Sequence, residues 1–101
     1  MPLALVEYVK YSPGSIVSRT LFNTDKGNLT LFAFDKGQNL SEHTAPFNAY
    51  IQVLDGESEI LIDRKPHKVK TGEMILMPAN IPHAVKAISK FKMLLTMIKS
   101  A

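Results

Sequence analysis

The sequence predicts an all-β domain, a two-sheet sandwich or barrel, and three observations carry that prediction. Turn signals such as Ser12-Pro13-Gly14, Asp25-Lys26-Gly27, Asp35-Lys36-Gly37 and Asp55-Gly56 punctuate the chain, at a spacing of roughly eight to twelve residues that suits short strands. The segments between them are rich in β-branched and aromatic residues, and several alternate in polarity. No segment sustains a 3.6-residue apolar period; only Leu3 to Tyr8 could form a helical turn.

Each element follows from its local sequence. Ser15 to Asn23 reads as a strand, and Asp25-Lys26-Gly27 as a hairpin turn in which glycine supplies a positive φ. Leu29 to Phe34 is the returning strand, closed by Asp35-Lys36-Gly37. Gln38 to Pro46 is looser and carries Glu42 and His43. Asn48 to Leu54 is a strand, and Asp55-Gly56 is the strongest two-residue hairpin signal in the chain. Its return, Glu57 to Asp63, puts Ser58, Ile60 and Ile62 on one face. Arg64-Lys65-Pro66 turns the chain into a short strand, His67 to Lys70. Gly72 opens the stretch Gly-Glu-Met-Ile-Leu-Met-Pro-Ala-Asn-Ile-Pro-His, an apolar strand running into a proline-braced turn that presents His83. Ala84 to Ile88 and Phe91 to Ile98 form a final pair around Ser89-Lys90.

Composition sets the limits. A chain of 101 residues has room for one core, so residues 1–101 are read as a single domain. With 46% hydrophobic and 21% charged residues, it is not a disordered chain. No apolar run reaches the length needed to cross a bilayer, so no membrane partner is expected. The opening Met-Pro-Leu-Ala-Leu-Val lacks a basic start and soon meets Glu7, which does not read as a signal peptide. Cysteine is absent, which excludes disulfides and thiolate metal sites and fits a cytoplasmic protein. A net charge of +3 is mild. The basic run Arg64 to Lys70 lacks interleaved aromatics, so it reads as a solvated strand edge and no nucleic-acid partner is expected. The last strand is apolar on both faces, with Phe91, Met93, Leu95 and Met97 against Leu94 and Ile98. Its second face needs cover from another sheet or subunit, and a homodimer is expected.

Two spacings carry a family resemblance. Gly37 is followed by five residues and His43; Ala45 stands two positions on, and Ala49 is followed by six residues and Gly56. Gly72 is followed by five residues and Pro78, then Asn80, two residues and His83, with Ala87 three residues beyond. Together these resemble the two motifs of the cupin superfamily, small jelly-roll barrels. The resemblance implies a cupin-type jelly-roll barrel whose full motifs converge three histidines and a glutamate on a divalent metal such as iron, manganese, nickel or zinc. This chain keeps His43 and His83 and has Ala45 and Ala49 at the other two positions. Asn80 replaces a glycine, a swap the left-handed region tolerates.

Those substitutions shape the functional expectations. Two imidazoles fall short of the three ligands that catalytic metal sites ordinarily use. Glu42 and Gln52 have the wrong strand parity to supply a third. The two alanines remove volume as well as ligands, and interiors rarely leave such space empty. The leading expectation is a barrel pocket for a small polar molecule, lined by His43, His83, Ala45 and Ala49, with Phe47 at its opening. The resemblance also implies an alternative: a metal-dependent isomerase or dioxygenase acting on a sugar or keto-acid-like metabolite, with His43 and His83 as ligands to a divalent transition metal. A non-catalytic regulatory or assembly protein is a third reading. His67 is expected to be a partly buried packing residue, and Met74, Met77, Met93 and Met97 are expected to fill the core.

Overall fold

Among the described residues, alternating side chains resolve into nine strands that pair throughout in antiparallel fashion. The computed structural model describes residues 2–99. After a short 3-10 turn at Leu5–Glu7, the strands are β1 (Ile16–Thr24), β2 (Gly27–Phe34), β3 (Asn39–His43), β4 (Phe47–Asp55), β5 (Glu57–Ile62), β6 (Lys65–Lys70), β7 (Met74–Met77), β8 (His83–Ala87) and β9 (Phe91–Lys99). They form a five-stranded sheet ordered β1-β2-β9-β4-β7 and a four-stranded sheet ordered β3-β8-β5-β6. The inner faces pack together, Phe34, Ile51, Val53, Phe91 and Met93 from one sheet meeting Ile60, Val69 and Val85 from the other. Phe34 and Phe91 stack across neighbouring strands with ring centroids 4.6 Å apart. This is an all-β barrel, as the turn spacing predicts, and it has the jelly-roll form that the family resemblance implies.

Several connections differ from the sequence expectation. Asp55-Gly56 does not make a hairpin, because β4 pairs with β7 and β9 while β5 pairs with β6 and β8. The dipeptide is a corner where the chain changes sheets. Gly56 has φ +80°, and a Cβ there would run into the Lys90 carbonyl. Likewise β8 and β9 lie in different sheets, so they are not a pair around Ser89-Lys90. The β5–β6 hairpin turns at Asp63-Arg64, both at positive φ (51° and 66°), one step earlier than Arg64-Lys65-Pro66. Pro66 then sits inside β6, which tolerates it as the outermost strand of its sheet. Gly27 lies in the β1–β2 hairpin, but it is not among the positive-φ glycines. It is needed because its Cα passes against the Met97 carbonyl, where any Cβ would clash. Asn39–His43, within the looser segment, is a strand.

The second apolar face of β9 is partly covered from within the chain. Val9 packs with Leu31 and Ala33 on the outer side of the five-stranded sheet, joined by Tyr8, Tyr11 and Leu94. Lys92, only 8% exposed, donates to the Val6 carbonyl at 2.5 Å, and its ammonium lies 4.8 Å from the centre of the Tyr11 ring. The Tyr11 hydroxyl donates to Asp55 Oδ2 at 2.6 Å. Burial, then the bond to Asp55 and its charge, push that phenol above its ordinary range. Beyond this strap the same sheet leaves Phe22, Met74, Leu76 and Ile98 exposed.

Candidate functional site

The site lies at one end of the barrel, where β3 and β8 run side by side. His43 and His83 are direct register partners across these strands, after a register shift between Leu40 and His43. β8 is held on its other side by β5, with His83 opposite Ile62. The turn before it is fixed by backbone: Asn80 adopts φ 65° and donates its N–H to the Ala45 carbonyl at 2.8 Å. Asn48 Oδ1 accepts from the Ala79 N–H at 3.0 Å. The left-handed Asn80 is the conformation that its place in the motif implies. Both histidines are therefore carried on braced backbone rather than on a free loop.

The two rings meet through their Nε2 atoms, 3.0 Å apart. Each Nδ1 faces a carbonyl two residues back in its own strand or turn: His43 the Ser41 carbonyl at 2.7 Å, His83 the Ile81 carbonyl at 3.2 Å. A carbonyl can only accept, so these contacts call for a proton on both Nδ1 atoms. In that tautomer a neutral imidazole has a bare lone pair at Nε2. Two such lone pairs facing each other repel unless something electron-poor joins them. His83 is buried, His43 exposed. Burial lowers the His83 pKa and the nearby His43 adds to that, while the Ile81 carbonyl acts in the opposite direction. The neutral form of His83 is thus favoured, and the 3.0 Å hydrogen bond between the rings calls for a proton on one of the two Nε2 atoms.

Behind the pair lies a cavity of ≈ 220 Å³. Ala45 and Ala49 border it together with both histidines, so four of the five residues singled out from the sequence come together. Phe47 does not border it. It shares strand parity with Ala49 but starts β4, opposite Lys99 at the end of the sheet. Tyr50 has the opposite parity and pairs with Leu76 and Thr96 toward the outer face. Sequence reasoning did not assign Phe32, Met77, Met93 and Met97 to the lining, although they contribute much of it. Their available signal was parity, since Phe32 pairs with Met93 and Ala49 pairs with both Met77 and Met97. Met74 is 59% exposed and is not core filling; its parity on β7 puts it on the outer face. His67 is exposed as well, because β6 is an edge strand.

A metal is the cofactor that this fold family implies, so the donor set needs testing. Two Nε2 atoms with carbonyl-anchored Nδ1–H groups are suitable imidazole donors. Among the described residues, however, no group of three or more His, Cys, Asp or Glu side chains could hold an ion. Glu42 is turned away and pairs with Arg64 at 3.5 Å. Gln52 is exposed on the outer face. The residues present are a ligand short of a resident catalytic metal centre.

A small double-sheet barrel with a histidine pair at one end of an interior cavity defines a class of pocket-bearing jelly rolls. Residues 30–99 match the family model described as a cupin domain, and the chain belongs to the cupin family. It is 26% identical over 70 residues to Protein SchB of Streptomyces halstedii, covering 68% of this chain and 51% of that protein. This chain thus spans about half the length of that relative. Among solved structures it is similar to a conserved Streptococcus pyogenes protein of unknown function, with 38% identity, a TM-score of 0.96, and coverage of 100% of this chain and 89% of the other. It is also similar to a cupin 2 conserved barrel domain protein of Leptotrichia buccalis, with 45% identity, a TM-score of 0.94, and coverage of 96% of this chain and 47% of the other. A cupin superfamily protein of Desulfitobacterium hafniense shares 25% identity at a TM-score of 0.94, covering 99% and 92% of the two chains.

Proposed function

We propose that this cupin binds a small molecule in the barrel cavity, with His43 and His83 as the polar pole of the pocket. The observation that carries the reading is the lining. Ten of its twelve residues are apolar, and the other two are the paired histidines. Sites for small molecules have this composition, mostly apolar walls with a few convergent polar groups. The lining also narrows the ligand from the polar metabolite that the sequence suggests to one with an apolar body and a single polar head. The pocket is tested by filling it. Ala49→Leu projects into the cavity beside Met77 and Met97, so ligand-observed NMR with small amphipathic compounds should show binding to the wild type and none to the variant. Equal binding by both would place the ligand elsewhere.

A metal-dependent enzyme is the second reading, favoured by the convergence of two Nε2 atoms at 3.0 Å. It requires water or the ligand itself to complete the coordination. Metal analysis of protein purified without an affinity tag or chelator decides it. Stoichiometric metal that is lost in His43→Ala supports a metalloenzyme; substoichiometric metal in both proteins removes that reading. We further propose that a second copy of the chain covers the outer sheet face, where Phe22 on β1, Ile98 on β9 and Leu76 on β7 are exposed and β9 is apolar on both faces.

A further inference from the structure

We infer that the cavity selects its ligand by body rather than by head, and that it takes a neutral, fused bicyclic aromatic compound of indole size. This rests on the pocket reading above and names the chemical class that the pocket holds. The histidine pole does not set that class. His43 and His83 are hydrogen-bonded to each other at 3.0 Å, and among the described residues no buried side-chain nitrogen or oxygen lacks a partner. No group on the wall therefore demands a polar atom from the ligand, and the walls and the volume decide what fits.

Three features of the walls point to that class. The first is a notch. Ala49 stands in register between Met77 on β7 and Met97 on β9, so a methyl group faces the cavity between two thioethers. Facing sheets pack about 10 Å apart, so a side chain truncated to a methyl opens a slot suited to a flat ring. The second is the chemistry of the sides. Phe32 and Met93, another register pair, border the same space. Three thioethers and a phenyl ring favour an aromatic body over an alkyl chain of equal size, through sulfur–aromatic and ring–ring contacts. The third is volume and charge. An apolar cavity of about 150 Å³ holds benzene. At ≈ 220 Å³ this one is roughly one and a half times as large, enough for a second fused ring but not for two separate rings. No Asp, Glu, Lys or Arg borders it, so an ionic group on the body would lie against apolar wall.

Ligand-observed NMR titrations with indole, toluene, 2-octanone and benzophenone test this at pH 7.5. All are uncharged: 2-octanone has the heavy-atom count of indole without a ring, toluene has a single ring, and benzophenone has two separate rings. Indole should bind tightest, about 5-fold or more tighter than 2-octanone, and benzophenone should not enter. In Met77→Leu and Met97→Leu, near volume-conserving changes checked for folding by circular dichroism, the preference for indole over 2-octanone should shrink. Ala49→Val adds two methyl groups to the notch, so it should lose indole while toluene still binds. Toluene, 2-octanone or benzophenone binding as tightly as indole would overturn the ligand class and leave the pocket standing. Undiminished indole binding by folded Ala49→Val would overturn the notch as the place where the ring sits. Absence of binding by all of these compounds to the folded wild type would overturn the pocket reading itself.

Discussion

His83 concentrates the physics of the site in one side chain. Removal from water lowers its pKa from the ordinary value of 6.5, whereas the unfolded chain keeps the ordinary value. Above pH 6.5 neither state carries a proton there, and the neutral ring fits its buried position. As pH falls, the unfolded state takes up a proton first, so stability drops until the lowered folded-state pKa is passed. Denaturant midpoints should therefore fall between pH 7.5 and 5, and His83→Leu should flatten that part of the profile; an unchanged slope in the variant would assign the loss to other groups. Gly27 and Gly56 make a second residue-scale test. Each leaves no room for a Cβ against a backbone carbonyl, and Gly56 also needs positive φ. Alanine at either position should cost about 1–3 kcal/mol in urea unfolding. Much at this scale was legible in the sequence. His43, His83, Ala45 and Ala49 were found by counting, because motif spacing fixes which strand positions face inward. The roles of Met77, Met93 and Met97 were not found, because the cavity is assembled from strands far apart in the chain and alternation alone does not say which inward residues border empty space.

Strands were easier to read than their connections. Polarity alternation depends on near neighbours, so most strand positions were found to within a residue or two. Whether a turn joins paired strands or carries the chain to the other sheet depends on long-range pairing. Asp55-Gly56 shows the difference: the dipeptide favours a hairpin, yet Gly56 serves a corner tight against Lys90. Asp63-Arg64 shows the converse, a two-residue hairpin turn built without glycine. The N-terminal strap was the least legible element, because Val9 and Tyr11 lack periodicity and their partners Leu31, Leu94 and Asp55 are distant. Lys92 fastens that strap by donating to the Val6 carbonyl under cover of Tyr11. Lys92→Met keeps the apolar stem and removes the charged donor, so it should lose about 1–3 kcal/mol. Amide hydrogen exchange around Val6 to Val9 should accelerate more than exchange in β4 or β9. Uniform acceleration across the barrel would mean that the strap is not a separately held element.

At the scale of the whole molecule, the barrel has two faces with different needs. Its interior packs around stacked Phe34 and Phe91 and leaves a cavity bordered by the histidine pair. The outer face of the five-stranded sheet is covered by the strap on one side and bare across Phe22, Leu76 and Ile98 on the other. Light scattering at micromolar concentration should report a dimer, and Leu76→Glu should return it to monomer; a monomeric wild type would remove the second copy. Dimer or not, the pocket depends on residues of one chain, with its polar pole made by a histidine pair forty positions apart in sequence and paired in register. The central claim is that the two rings are joined by one hydrogen bond between their Nε2 atoms at the pole of the cavity. Long-range nitrogen–proton correlation NMR of histidine-labelled protein reads this directly at pH 7.5. A proton on the Nε2 of one ring and a bare Nε2 on the other is the predicted result, and unprotonated Nε2 on both His43 and His83 would contradict it.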